Sequence, residues 1–389
     1  MIAVKEFVSD LKGDRVIWMI IIFLAIASIL SVYSSIGSMA YKLRDGNTEY
    51  YLFTHVLYMG IGFFMMMLCS RVHYTKFAKL APILFIIAVP LLLYTLFFGA
   101  EVNDAKRWII IPWIDKTFQP SDFAKLALII FIARALSKRQ ENIKDFKQSF
   151  LPIIIPVGII CTLIAPADLS TACLLFVTCI LMMIIGRVSL KYIFYMAMIG
   201  VILLSLLVLV GTFFPDFVRV ETWISRINEF MYNTDGGYQI QQSKIAIASG
   251  EFFGRGPGNS LQRNYLPYPY ADFIYAIICE EYGLLGAFFI VGLYLWLLFR
   301  CIAIVTRCPK TFGAILAMGL ALNIVIQAFA NIAVSVHMVP VTGLTLPFIS
   351  MGGTSLIFTC IALGIILSVS RYVDDSKKVE KKVLENSLA

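Results

Sequence analysis

A carboxylate surrounded by aromatic residues is the first candidate for chemistry in this sequence. Asp272 lies in the segment LPYPYADFIY (266–275), where a long polar connection meets an apolar run. Partial desolvation at such a boundary raises the pKa of a carboxyl group, which suits it to act as a general base. Asp is also favoured at helix N-termini, so a structural cap is the alternative interpretation.

Two more acids, Glu280 and Glu281, follow in the same apolar run, more than two helical turns beyond Asp272. Charged groups at that depth of a membrane are costly, so they usually face a polar interior or an opposite charge. Their position is compatible with support of a functional site and with a purely structural ion pair.

Asp122 and Lys125 form a candidate pair at the start of another apolar run, after Gln119-Pro120-Ser121. The i, i+3 spacing places them on one face of a helix. Lys125 lies about one turn inside the run, where an ammonium group needs a carboxylate, a phosphate or a path to the interface. We therefore predict a phosphate site here. A cap formed by Ser121 or Asp122 is the alternative, and it leaves Lys125 unexplained.

A polar stripe runs along one later apolar segment. Asn323, Gln327, Asn331 and Ser335 recur every four residues and so share one helical face. Such a stripe forms hydrogen bonds between helices or lines a polar cavity, and both interpretations fit the sequence.

Membrane helices must position these residues. Of 389 residues, 60% are apolar and only 14% are charged, whereas a soluble domain has roughly 45–50% and about 25%. This composition excludes a soluble globular enzyme and a disordered chain.

A membrane span needs about 20 apolar residues. We predict ten such runs, at 16–39, 51–70, 76–98, 121–137, 150–166, 168–186, 189–214, 272–299, 312–336 and 347–370. Pro166 and Asp168 divide the nearly continuous stretch 150–186 into two helices.

The basic residues predict the orientation. Ten crossings place both termini on one side, and most of the 32 Lys and Arg residues fall in the loops and tails of that side. It is therefore predicted to be cytoplasmic, and the net charge of +8 indicates topology rather than a nucleic-acid partner. Scattered, solvated charge is the default interpretation of the few cations on the predicted outer face. They oppose the usual bias and would also suit a lipid pyrophosphate: Arg107, Arg226, Lys244, Arg255 and Arg263.

The predicted fold is an all-α polytopic membrane protein of about ten transmembrane helices. Residues 1–15 form a cytoplasmic N-terminus, 16–371 a single membrane domain, and 372–389 a charged cytoplasmic tail, which we expect to be disordered. The outer connection 215–271, between helices 7 and 8, is rich in Gly and aromatic residues and has a helix-compatible stretch at 239–248. A connection of that length is usually functional or disordered, and its composition favours a structured, functional loop.

Several segments, in this order, resemble the SEDS family (shape, elongation, division and sporulation proteins) over about 16–371. The strongest similarity joins 237–243 (GYQIQQS) to Tyr265-Leu266-Pro267, 272–276 (DFIYA) and 280–283 (EEYG). Further similar segments are Arg107-Trp108, Gln119–Asp122 with Lys125, and 340–353. Within the family, Val32–Ser35 and Gly343–Pro347 are more similar to the division branch, whereas Pro340–Gly343 is more similar to the elongation branch. Together they favour the division branch. Asp122 stands where the family usually has Glu, and Ser170 replaces a usual glycine.

The resemblance implies a peptidoglycan glycosyltransferase that polymerises lipid II and releases undecaprenyl pyrophosphate. Asp272 would be the essential acidic residue of the long outer loop and the catalytic residue. Lys125, Arg226 and Arg107 are predicted to bind the pyrophosphate, and the loop residues Gln239, Gln242 and Ser243 to bind substrate. The supporting charges would be Asp122, Asp168, Glu280 and Glu281, with Asp168 opening the sixth span.

The same resemblance implies a location in the cytoplasmic (inner) membrane, with the active site on the extracytoplasmic face. The implied partners are a class B penicillin-binding protein with transpeptidase activity and other divisome proteins. No cofactor is evident, the three histidines lack zinc-type spacing, and a divalent cation such as Mg²⁺ or Mn²⁺ is compatible with the leaving group. The alternatives are a flippase for lipid-linked precursors and a non-catalytic scaffold of the cell-wall synthesis complex.

Overall fold

The computed structural model describes residues 13–37, 48–102, 105–111, 116–213, 218–233 and 236–388. Its long helices follow the predicted apolar runs. The helices are α1 Arg15–Ser35, α2 Thr48–Arg71, α3 Thr75–Phe98, α4 Pro120–Lys138, α5 Leu151–Ile164, α6 Leu169–Ile185, α7 Leu190–Phe213, α8 Val220–Tyr232, α9 Tyr238–Gly250, α10 Ile274–Val305, α11 Thr311–Ser335 and α12 Thr354–Leu388. The strands are β1 Ala100–Val102, β2 Ala105–Ile111 and β3 Lys116–Phe118.

Eight of the described helical segments are long and apolar enough to cross a membrane. The other two predicted spans correspond to α4, which is 19 residues long, and to α6, an apolar helix of 17 residues. The polytopic helical fold is thus confirmed, and the number of ten crossings stays a prediction.

The break predicted near Pro166 separates α5 from α6. Asp168 is the N-cap of α6, and its carboxylate accepts a hydrogen bond from the Thr171 amide at 3.1 Å. A single π-helical turn, Phe146–Phe150, leads into α5. Helix α6 therefore begins with ordinary capping chemistry.

The prediction of an all-helical chain missed a small sheet between α3 and α4. The strands β1, β2 and β3 are antiparallel, with Glu101 opposite Lys106 and Ile110 opposite Thr117. β-Branched residues favour strands, and the run Ile109-Ile110-Ile111 in β2 is too short for a membrane span.

The connection predicted at 215–271 contains two helices, α8 and α9, and a 3₁₀ turn at Gln262–Asn264. Helix α9 covers the predicted stretch 239–248, whereas α8 was not predicted. The apolar residues of α8 lie along one face. Because the helix has only 13 residues, this helical period is a weak signal in the sequence.

Two helix boundaries near the cavity described below differ from prediction. The last span begins at Thr354 rather than 347, since Pro347 lacks an amide donor and Gly353 has a φ of +50°. Helix α10 begins at Ile274 rather than 272. Residues 339–353, apart from a turn, and 265–273 therefore form non-helical segments against the bundle.

The expectation of disorder after Arg371 was wrong, because α12 continues to Leu388. The tail is rich in Lys and Glu, which are good helix formers, and a helix that is already nucleated by a membrane span extends readily. An i, i+4 ion pair, Arg371 Nε to Asp375 Oδ2 at 3.8 Å, lies where the tail begins.

Helix α11 lies at the centre of the bundle, in contact with α4, α6, α10 and α12. Helix α2 packs along α12, and α7 is the least enclosed of the candidate spans. The polar stripe predicted on α11 therefore faces neighbouring helices, and its residue Gln327 reaches the cavity.

Candidate active site

A cavity of about 640 Å³ brings together most of the charged residues that the sequence singled out. It lies beside the small sheet, at the first turns of α4 and α6, and is covered by α8, α9 and the two non-helical segments. The predicted residues in its lining are Arg107, Asp122, Lys125, Asp168, Arg226, Gln239, Asp272 and Gln327.

The backbone around Asp272 is held from two sides. Asn331 Nδ2, on α11, donates to the Asp272 carbonyl at 2.7 Å and to the Leu344 carbonyl at 2.6 Å. Ser350 Oγ donates to the Ala271 carbonyl at 2.6 Å. The polar stripe thus fixes the segment that presents the carboxylate to the cavity.

The capping interpretation of Asp272 was wrong. Phe273 occupies the N-cap of α10, without a side-chain cap bond. The Asp272 carboxylate lies outside the helix and lines the cavity. It is therefore placed to meet a ligand rather than to close a helix end.

Burial raises the pKa of Asp272 to about 6, against the lowering effect of the Arg107 and Arg226 guanidinium groups, while Asp168 raises it further. Burial is the largest of these influences. A carboxylate with this pKa is mostly ionised at neutral pH and is a stronger base than an ordinary aspartate.

Arg107, on β2, is anchored to the start of α6. Its Nη1 lies 3.3 Å from Asp168 Oδ2, and its Nε donates to the Ala167 carbonyl at 2.8 Å. The missed sheet therefore has a clear role, because it carries this guanidinium group to the cavity wall.

The predicted pair of Asp122 and Lys125 is present. Lys125 Nζ lies 2.8 Å from Asp122 Oδ1 and 3.4 Å from Gln327 Oε1. Gln119, not Ser121 or Asp122, is the N-cap of α4. Among the described residues, Asp122 Oδ2 has no hydrogen-bond partner although it is buried. Lys125 thus has the carboxylate it requires and still lines the cavity.

Three guanidinium groups converge on the cavity: those of Arg107, Arg219 and Arg226. Burial lowers the pKa of Arg226, and the charges of Arg107 and Arg219 lower it further. Arg226 Nη1 donates to the Val341 carbonyl at 3.1 Å. Positive groups held together against their repulsion indicate a site for an anionic ligand.

Two of the predicted loop residues lie outside the lining of this cavity. Ser243 is buried, and its Oγ donates to the Ser335 carbonyl at 2.8 Å, which ties α9 to the end of α11. Gln242 is half-buried on α9. Of the three loop residues predicted to bind substrate, Gln239 alone lines the cavity.

Glu280 and Glu281 hold the connection that follows α9. Glu280 accepts hydrogen bonds from Ser260 Oγ and from the Leu261 amide, the latter at 3.0 Å, while Glu281 accepts from Ser34 Oγ. Arg255 Nη1 lies 3.9 Å from Glu280 Oε1. These contacts agree with the structural interpretation of the two acids.

The sequence interpretation missed several lining residues, among them His55, Arg219, Tyr268 and Tyr270. His55 is buried on α2, with Nε2 2.9 Å from Ser28 Oγ, which donates to the Ile349 carbonyl at 2.9 Å. An ionisable residue inside an apolar run was the available signal. Arg219 could have been found in the same way as the other outer-face cations, because it opposes the usual charge bias.

A metal site needs several ligating side chains close together. The described residues contain no group of three or more His, Cys, Asp or Glu side chains that could hold a metal ion. Asp122 and Asp168 are engaged by Lys125 and Arg107. These carboxylates do not fit a metal site built by the described part of the chain.

Comparison with known proteins gives relatives over nearly the whole chain. The FtsW/RodA/SpoVE family model, described as "Cell cycle protein", matches residues 14–375. A probable peptidoglycan glycosyltransferase FtsW of Geobacter sp. (strain M18) is 33% identical over 362 residues, 92% of this chain and 96% of the relative. Stage V sporulation protein E of Bacillus subtilis (strain 168) is 34% identical over 364 residues, 92% and 97% of the two chains.

Solved structures also resemble this chain. One, described as "Structural coordination of polymerization and crosslinking by a peptidoglycan synthase complex", has a TM-score of 0.68 and 25% identity, covering 93% of this chain and 98% of that chain. The rod shape determining protein RodA of Thermus thermophilus has a TM-score of 0.63 and 24% identity, covering 90% and 95%. The second similarity concerns the fold alone.

Proposed function

We propose that this chain, which belongs to the FtsW/RodA/SpoVE family of cell cycle proteins, is a peptidoglycan glycosyltransferase that polymerises lipid II during cell division. One observation supports this most strongly: a carboxylate whose pKa is raised to about 6 shares a cavity with three guanidinium groups. The reaction needs a base beside the attacking hydroxyl and positive charge beside the leaving pyrophosphate.

Asp272 acts as the general base. It takes the proton of the 4-hydroxyl of one lipid II sugar as that oxygen forms a bond to the anomeric carbon of another. The bond between this carbon and the pyrophosphate oxygen breaks, and its electron pair stays on undecaprenyl pyrophosphate. General-base assistance of this kind contributes typically about 10²–10⁴-fold.

Arg107, Arg226 and Lys125 stabilise the charge that develops on the leaving pyrophosphate. Such donors act best when their positions are fixed before the reaction. Arg107 is anchored by Asp168, and Lys125 by Asp122 and Gln327. Arg219 lines the same cavity and adds to its positive potential.

The basic loops support a location with both termini in the cytoplasm, in the cytoplasmic (inner) membrane. The cavity is lined by residues that belong to predicted outer segments, so catalysis takes place on the extracytoplasmic face. A class B penicillin-binding protein is the proposed partner, supported by the similarity to a solved peptidoglycan synthase complex that couples polymerisation to crosslinking.

The proposed function is tested with purified protein in proteoliposomes that contain fluorescent lipid II. Polymer formation by the protein alone is the expected result. Translocation of lipid II without polymer would favour the flippase alternative, and neither activity, in the presence or absence of a transpeptidase partner, would favour the scaffold.

A further inference from the structure

A second cavity, of about 620 Å³, adjoins the first. Three residues line both cavities: Arg226, Gln239 and Val341. The remaining lining comes from α8, the start of α9 and Pro267. Its volume lies within the roughly 300–1,000 Å³ of typical ligand sites.

Helix α8 presents a polar face to this cavity. Its lining residues recur at the spacing of one helical face: Glu221, Thr222, Ser225, Arg226 and Glu229. The opposite face is apolar, and Ile224, Ile227 and Met231 on it are exposed. The polar side chains of α8 are therefore gathered on the cavity side.

The start of α9 forms the facing wall. Tyr238 is 55% exposed at the first position of that helix and lines the cavity. Gly237 leaves space for the Glu229 carboxylate, because a Cβ at this position would lie 1.7 Å from Glu229 Oε1. The carboxylate thus packs directly against the beginning of α9.

The lining chemistry differs from that of the catalytic cavity. Two carboxylates, three hydroxyls and the amide of Gln239 offer both donors and acceptors, and Arg226 supplies the cation at the boundary. Two carboxylates disfavour a phosphate group, and Arg226 disfavours a cation. A neutral ligand rich in hydroxyl and amide groups fits this lining, with the Tyr238 ring as an apolar surface.

We propose that this second cavity binds the glycan strand, as a subsite for N-acetylated sugars next to the catalytic cavity. The proposal rests on the proposed function, since the shared residues place the second cavity directly beside the site where the glycosidic bond would form. Sugars here keep the strand bound between successive additions.

The test measures binding of a lipid-free, peptide-free octasaccharide of alternating N-acetylglucosamine and N-acetylmuramic acid to the full-length protein in nanodiscs. Glu221→Gln and Tyr238→Ala should each weaken binding about three- to tenfold, the effect of losing one hydrogen bond or ring contact. Tyr232→Ala is the matched control, because Tyr232 lies on α8, is 83% exposed and does not line the cavity. Both variants should also give shorter strands from lipid II at an unchanged rate of first linkage.

Different results would contradict the glycan subsite and the proposed function. Asp272→Asn should bind the octasaccharide as well as the unaltered protein does, although it polymerises little lipid II. Unaltered protein that binds the octasaccharide but forms no polymer would contradict the proposed function alone. Equal binding by Glu221→Gln, Tyr238→Ala and the control, or binding that requires stem peptides, would overturn the glycan subsite. A melting transition unchanged in each variant ensures that weaker binding is a local effect.

Discussion

At the scale of single residues, burial and neighbouring charges have opposite effects on the pKa of the Asp272 carboxyl group. Burial raises its pKa, and Arg107 and Arg226 lower it. These two cations also face the proposed leaving group, so the same charges adjust the base and stabilise the product. Asn331 fixes the backbone of this residue through a hydrogen bond of 2.7 Å.

The first prediction concerns pH. Because the base must be deprotonated, kcat/KM for lipid II should fall as the pH falls through about 6, the pKa of Asp272. Arg226→Gln removes a charge that lowers this pKa, so the acidic limb should move to higher pH in this variant. A limb that stays at the same pH in Arg226→Gln would contradict the assignment.

The second prediction concerns the residue that holds Asp272. Asn331→Ala removes hydrogen bonds to the Asp272 and Leu344 carbonyls, and the misplaced base should lower kcat by about 10²-fold. Asn323→Ala, two turns away on the same helical face, is the control and should retain activity. KM should change little in the Asn331 variant, and equal kcat values for the two variants would contradict a positioning role.

At the scale of elements, the connection after α9 is locked onto α10 by backbone contact as well as by Glu280 and Glu281. Gly283 has a φ of +62° within α10, and a Cβ there would lie 2.4 Å from the Gly254 amide nitrogen. The Arg255 and Gly256 amides donate to the carbonyls of Glu280 and Glu281. The loop thus docks where the helix is kinked.

The third prediction follows from this close approach. Gly283→Ala combines an unfavourable positive φ with a backbone clash and should lower stability by about 2 kcal/mol or more, measured as a lower melting temperature in detergent. Gly292→Ala in the same helix is the control, because a Cβ at position 292 would have no described neighbour within 4 Å. Equal melting temperatures for the two variants would contradict the described packing.

At the scale of the whole molecule, the sequence predicted the long helices and most of the lining charges, and the reasons are physical. Apolar runs reveal membrane helices through length and composition alone. Asp122 and Lys125 were detectable because charge inside such a run is costly. The sheet that carries Arg107 and the polar face of α8 could not be detected, since the hydrophobic pattern of such short segments has no distinct period.

The fourth prediction concerns orientation. In a variant without native cysteines, Tyr232→Cys should react with a membrane-impermeant maleimide in intact cells, and Lys144→Cys only after permeabilisation. Tyr232 lies on α8 and Lys144 between α4 and α5, and both are exposed. The reverse labelling pattern would contradict the predicted orientation of the cavity.

The central claim is that Asp272 is the base of a glycosyl transfer reaction. The most direct measurement is the rate of lipid II polymerisation by purified protein that carries Asp272→Asn, with Asn323→Ala as a control for purification and folding. We predict a loss of about 10²–10⁴-fold with an unchanged melting temperature. Undiminished polymer from the Asp272→Asn protein would contradict the claim.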